Sequence, residues 1–249
     1  EVFAQTKPFE RTARSLSLLY HNAGGEANVT ILPVSDAKFA DSGNPKHFDA
    51  MRHYLRQKFY AWKMEDSPFY LSYVGDIGSK SAMDVMAMAA EETRAIAVVD
   101  LREMGSSKAV MDYADRLQIA GIAPHLAHLV IPGTWVYAQG ALDVDFVQDE
   151  QGRLRRLEKQ MAVPAAAALI GKLLEVRPGV FITGLEKSAL VGINGVRVAY
   201  DLERIEAKEW DLRGLIQIEP YGHIQGATTA NKSNNYDLRK FPKVDVANA

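Results

Sequence analysis

Apolar positions along the chain change their rhythm several times, and each change marks an element. In Phe48–Met64 the residues Phe48, Met51, Leu55, Phe59 and Trp62 recur every three or four positions, the spacing that lines one face of a helix. Asp66-Ser67-Pro68 ends that helix, and a strand–helix alternation follows. Phe69–Val74, Ala95–Val99 and Leu126–Ile131 are short apolar runs that predict strands. Ala82–Ala90 and Lys108–Gln118 predict the helices between them, capped by Ser79 or Ser81 and by Ser106 or Ser107. A β-α-β-α-β order needs helical crossovers between parallel strands. It therefore predicts an α/β fold with a mixed, largely parallel sheet.

The flanks are less regular. Thr12–Tyr20 is short and semi-apolar, Gly24-Gly25 is a turn, Asn28–Val34 is a strand candidate, and Asp41–Pro45 is a polar loop. After the alternation, Pro132-Gly133 interrupts the chain and Trp135–Phe146 reads as a β-rich excursion. Gln148–Gly152 is a polar turn before the basic segment Arg153–Lys159. Val163-Pro164 opens an Ala-rich helical run through Leu174, and Gly179–Thr183 and Gly195–Tyr200 predict two further strands. Asp201 is placed to cap a helix over Leu202–Arg213, with Gly214 at its C-terminal cap and Leu202, Ile205 and Leu212 as its apolar stripe. Glu219-Pro220-Tyr221-Gly222 suits a type I turn between Leu215–Ile218 and His223–Gln225. A boundary near Arg177-Pro178 divides an α/β core, 1–176, from a smaller C-terminal α+β domain, 177–249.

Composition narrows the function classes. With 47% hydrophobic and 24% charged residues over 249 positions, the chain has an ordinary globular balance and can bury a substantial core. A net charge of −2 offers no electrostatic case for nucleic acid or an anionic membrane as partner. No run of about 18 apolar residues occurs, so no membrane-spanning helix is predicted, and no signal segment is visible. The absence of cysteine excludes disulfides, thiolate catalysis and cysteine-based metal sites, and fits a reducing compartment. Because the chain opens at Glu1 and stops just after Val244–Val246, it is expected to be part of a longer protein.

Candidate chemistry is sparse. Gly75-Asp76-Ile77-Gly78-Ser79-Lys80-Ser81 lies between a strand and a helix, where a phosphate-binding loop belongs, but its glycine spacing is wrong for a Walker A nest. Asp76 and Asp100 both follow apolar strands. They could face a ligand crevice and hold Mg²⁺ with Glu103 as a third ligand, or simply cap a loop or a neighbouring helix. His125 and His128, three apart on a strand, would point to opposite faces, and His47 and His53 do not converge. Ser81, Ser188 and Ser233 lack a nucleophile elbow, and Met83, Met86 and Met88 read as core packing. Arg153, Arg155, Arg156 and Lys159 form a basic cluster diluted by Glu150 and Glu158, which reads as a solvated face or a salt-bridge patch for another protein. No catalytic, cofactor-binding or metal-binding residue is assigned.

From Ala95 onward the chain resembles the contractile tail sheath family of tailed phages and related injection machines. The likeness rests on Ala95–Val99 ending in Asp100, on Leu129-Val130-Ile131-Pro132 followed by Trp135, and on Val163-Pro164-Ala165 opening a helix through Gly171. In the C-terminal part it rests on Gly195-Val196-Arg197-Val198, Leu202–Leu212, Gly214–Ile218 and Gly226-Ala227-Thr228-Thr229. Ala165 stands where the family usually has a second proline, and Leu173-Leu174-Glu175 replaces the usual Arg-Thr-Asp. These departures suggest a divergent, large-phage branch.

The resemblance implies a structural subunit, not an enzyme, with a subtilisin-like α/β core that lacks protease residues. Such subunits self-assemble into hexameric rings and a helical sheath around a tail tube, contact a baseplate, and contract to drive the tube through a target envelope. The implied location is a phage virion assembled in the host cytoplasm. Terminal arms that add strands to neighbouring subunits are implied but are not present in this chain, so the piece by itself is expected to be monomeric. The alternative from the residues alone is a Mg-dependent phosphohydrolase or nucleotide-binding enzyme using Asp76, Asp100 and the Gly75–Ser81 loop. A periplasmic-type ligand-binding module is a third.

Overall fold

The computed structural model describes residues 2–31, 45–60, 70–73, 77, 79–93, 95–119, 125, 128–176, 188–201, 205–219 and 224–225. The alternation read from the sequence is present as a parallel three-stranded sheet. Strands β1 (Tyr70–Tyr73), β2 (Ile96–Val99) and β3 (Leu129–Val130) lie in the order β1-β2-β3, with Leu71 beside Ala97 and Val98 beside Val130. All four residues of β2 are buried, as a central strand covered on both faces requires.

The helix around Thr12–Tyr20 is longer than its apolar pattern, and the helix expected over Phe48–Met64 begins three residues earlier. Helix α1 spans Val2–Asn22 and α2 spans Pro45–Tyr60. The first turn of α2 begins with proline, which fits there because its missing N–H has no partner to lose. Met51 of α2 is buried, whereas the side chains of Phe48, Leu55 and Phe59, and residue Trp62, lie outside the described residues. Helix α3 (Lys80–Thr93) is capped by Ser79, whose hydroxyl accepts from the Ala82 N–H at 3.1 Å. Met83 and Met86 of α3 are fully or nearly fully buried in the core. Helix α4 (Ser107–Leu117) is capped by Ser106 through the Ala109 N–H at 3.3 Å. In both cases the first of the two candidate serines is the cap, because the second already sits inside the helix.

A second, antiparallel sheet follows. Strands β4 (Val136–Gln148) and β5 (Leu154–Val163) form one long hairpin, and a short strand β6 (Ile193–Val196) pairs with the base of β4 in the order β5-β4-β6. Gly140, with φ of +68°, sits at the register irregularity between Tyr137 and Leu142, the position where glycine relieves a bulge. Helix α5 (Ala166–Glu175) packs across α1. A Cβ added at Gly171 would fall on the Leu19 carbonyl and within 2.9 Å of the Asn22 Cβ, so glycine permits this backbone-to-backbone crossing.

The last elements are helix α6 (Glu206–Leu212) and the hairpin of β7 (Gln217–Ile218) and β8 (Ile224–Gln225). The two strands form a separate two-stranded sheet that meets the chain after β3 at one isolated bridge. Ile216 bridges Pro132 in parallel, with its N–H on the Ile131 carbonyl at 2.8 Å. Two apolar clusters, one on each side of β2, form the core. Val198, Tyr200, Trp210 and Leu215 enter the first, and Leu190, Ile216 and Ile218 enter the second.

Several sequence expectations are corrected here. Residues 28–31 of the candidate strand Asn28–Val34 pair with no strand among the described residues; 32–34 lie outside the described residues. The strand expected at Gly195–Tyr200 runs instead over Ile193–Val196 and bends at 197–198. Asp201 does not cap α6. Its own N–H donates to the Glu206 carboxylate at 3.3 Å, and Ile205 occupies the cap position. The apolar stripe of that helix is also rotated, with Ile205 73% exposed and Trp210 fully buried. Trp210 sets the rotation by packing on Gly133, where a Cβ would meet the ring at 2.5 Å, while its Nε1–H donates to Ser107 Oγ at 2.8 Å. Gly214, with φ of +75°, does end the helix as expected. The predicted strand Gly179–Thr183, the turn at 220–222 and the segment 226–229 lie outside the described residues.

Candidate functional site

Of the residues singled out for chemistry, Asp100 has the most defined surroundings. It follows β2 and is 1% exposed. Its Oδ1 accepts from the N–H groups of Ala165 and Ala166 at 2.8 and 3.0 Å. Ala165 supplies no side-chain cap to α5, so a carboxylate from a distant strand satisfies that helix start and meets the positive end of its dipole. The other oxygen, Oδ2, is buried and makes no hydrogen bond. Burial pushes the carboxyl up to about 7, and the two N–H donors, which pull it down, only partly offset that. Asp100 therefore faces a helix terminus within the core, not an open crevice. Of the two readings left open for it, capping of a neighbouring helix is the one the geometry supplies.

The remaining candidates do not converge on it. Asp76, Gly75 and Gly78 lie outside the described residues. Glu103 is engaged by Arg11 at 3.3 Å and by Arg197 at 3.3 Å. Among the described residues, no group of three or more His, Asp or Glu side chains is arranged to hold a metal ion. His125 and His128 have 3-10 helical backbone before β3 and are not on a strand. His125 Nε2 meets the Asp84 carboxylate at 3.4 Å, beside Lys80 at 3.1 Å, and His128 Nδ1 meets the Ala95 carbonyl at 3.1 Å. Burial holds the His128 imidazole below its usual range. His53 bonds Gln57 on the exposed side of α2. Ser188 is buried, Ser81 lies on α3, and Ser233 lies outside the described residues.

The surface offers more than the interior. Beyond the bulge the β4–β5 hairpin continues as a two-stranded ribbon, with Leu142 opposite Gln160, Phe146 opposite Arg156 and Gln148 opposite Leu154. Its tip is built by Asp149, whose Oδ1 accepts from the N–H groups of Gln151 and Arg153, and by Gly152 at φ of +77°. The basic residues anticipated as a patch lie on the return strand. Arg155 pairs with Asp149 at 3.2 Å and Arg156 with Glu158 at 2.7 Å. Leu142, Phe146, Val147, Leu154 and Leu157 are all substantially exposed on the same ribbon. Soluble proteins rarely leave so many large apolar side chains grouped in water unless another surface covers them. Reading the sequence as a β-rich excursion, a turn and a basic segment missed this hairpin. Its signal was the Asp149–Gly152 turn between two strand-length segments.

An arrangement of this kind has scaffolding and contact surfaces and no assembled catalytic constellation among its described residues. Residues 1–231 match the family described as Type VI secretion system TssC/VipB, central domain. No curated protein matches the chain, and no solved structure does.

Proposed function

Because the chain belongs to the type VI secretion system TssC/VipB central-domain family, it is a contractile-sheath subunit of an injection machine related to phage tail sheaths, and we propose that it works in a type VI rather than a phage particle. In this reading the full-length protein stacks as hexameric rings around a tube, engages a baseplate, and contracts to drive the tube through a target envelope. The match over 1–231 carries the reading, since it spans nearly every element described above. The shared core supports it as well. A subunit that transmits force must keep its parts together, and here Ile216 bridges the chain just after β3, Trp210 packs on Gly133, and Asn22 holds α1 to the segment before β6. Asn22 does so through two hydrogen bonds with the Val191 backbone, at 2.8 and 3.0 Å.

Electron microscopy of the full-length protein expressed with the other components of its machine tests this directly. Hollow striated tubes are the expected result, recovered from cells that release no phage particles. A discrete globular oligomer, or tubes found only on phage particles, would overturn the proposal in its sheath part or its type VI part respectively. By itself the 249-residue chain should sediment as one species near 27.5 kDa, because isolated exposed ion pairs contribute only about 0–1 kcal/mol each. That is less than the several kcal/mol lost on association.

A further inference from the structure

Two exposed surfaces of the chain lie on opposite sides of the β4–β5 sheet. Cross-strand partners share a face, so Leu142, Val144, Phe146 and Gln148 stand together with Gln160, Glu158, Arg156 and Leu154. On that face Leu142 is 47% and Leu154 71% exposed, with the Arg156–Glu158 pair between them. The reverse face carries Asp143 and Lys159, with Val147 and Leu157 toward the tip, and Asp143 is approached by Arg11 of α1 at 3.9 Å. Helix α1 therefore lies behind the base of the ribbon, on the side opposite Leu142 and Leu154.

The second surface is the outer side of α1. Ser15, Leu18, Leu19 and Asn22 point inward and are buried. At 3.6 residues per turn, Phe9, Ala13 and Tyr20 fall on the opposite side, where Phe9 is 78% exposed. A shallow depression of about 480 Å³ is lined there by Phe9, Glu10, Ala13, Arg14 and Ser17.

Resting on the sheath reading above, we propose that the Leu142–Leu154 face of one copy packs on the outer side of α1, around Phe9, of the next copy in the assembled sheath. Three observations select this occupant. A two-stranded ribbon is marginally stable alone in water, and β6 supports β4 only at Val136 and Ala138. Each surface sets apolar side chains beside one acid and one base, Arg156 and Glu158 against Glu10 and Arg14, so opposite charges can be matched in a single register. The two surfaces also lie on opposite sides of the molecule. That makes the contact heterologous and self-propagating, as an open helical polymer requires, whereas a ribbon-to-ribbon contact would close as a dimer. A patch of so few side chains falls short of the roughly 800 Å² per partner of a stable pair. It serves an assembly in which many such contacts act at once.

These 249 residues contain no cysteine, so once any cysteine elsewhere in the full-length protein is replaced by serine, single introduced thiols report unambiguously. The full-length protein is prepared as Ala13→Cys and as Leu154→Cys, assembled into sheaths separately and as a mixture, and treated with a short bis-maleimide. Cross-linked dimer is expected in the mixture and absent from either variant alone. In parallel, Leu142→Ser with Leu154→Ser should lower sheath yield at least tenfold while shifting the melting temperature of the unassembled protein by no more than a few degrees. Sheaths that form from the mixture without the cross-link would overturn the contact. So would a Leu154→Cys homodimer, or linkage of Leu154→Cys to a different component of the machine. In each of those cases the sheath reading stands. Failure of the unmodified protein to form sheaths under the same conditions would instead overturn the reading on which the contact rests.

Discussion

Removing the carboxylate at Asp100 probes the joint between the two sheets. Asp100→Ala leaves the buried N–H groups of Ala165 and Ala166 without their acceptor. Loss of a helix cap costs about 0.5–2 kcal/mol, and stranding buried donors costs about 1–3 kcal/mol. These overlap, so a loss of roughly 2–4 kcal/mol is expected. Asp100→Asn keeps an oxygen on both N–H groups and removes the charge. The sign of the pH effect follows from the shift. The folded-state carboxyl is raised from 3.8 to about 7, so protonation favours the fold. That contribution is complete below about pH 4 and is lost as the pH rises through about 7. Its full size corresponds to about 4 kcal/mol. Urea unfolding of the wild type and of Asp100→Asn should therefore diverge between pH 4 and 7, the wild type losing stability relative to the variant. Equal pH slopes for the two proteins, or an alanine variant as stable as the asparagine one, would refute the assignment of Asp100 as a buried helix-capping carboxylate.

Gly171→Ala should destabilise by about 1–3 kcal/mol, since the new methyl collides with backbone at the α1–α5 crossing; calorimetry showing an unchanged melting temperature would mean the helices do not cross there. Ser107→Ala strands the Trp210 indole N–H and should cost about 1–3 kcal/mol, whereas Trp210→Phe with Ser107→Ala should cost little more than Trp210→Phe alone. A double-mutant cycle measures that coupling, and additive losses would disprove the bond. Arg213 makes a two-pronged pair with Asp115 at 2.9 and 3.0 Å, yet the aspartate is largely exposed. A cycle on Arg213→Ala and Asp115→Ala should give under about 1 kcal/mol, and a larger coupling would show the pair to be shielded from solvent.

Much of the fold was already legible in the chain. The parallel unit follows from apolar runs of four to six residues alternating with capped helices, because buried strands and amphipathic helices each carry their own period. Ser79, Ser106 and Gly214 were readable because capping is a local matter of one side chain, or one positive φ, against nearby backbone. The sheath likeness was readable at the level of the family, through Val163-Pro164 and the elements around it. What the sequence could not determine depends on partners far along the chain. Asp100 caps a helix 65 residues away, and nothing near it in sequence distinguishes that from a metal ligand. Trp210, not Ile205 or Leu212, faces the core because Gly133 leaves a space for its ring. A basic stretch became a strand because Leu154–Val163 found its antiparallel partner across the Asp149–Gly152 turn. Leu142, Phe146 and Leu154 came to share one exposed face through the cross-strand register, and register exists only once two strands have met.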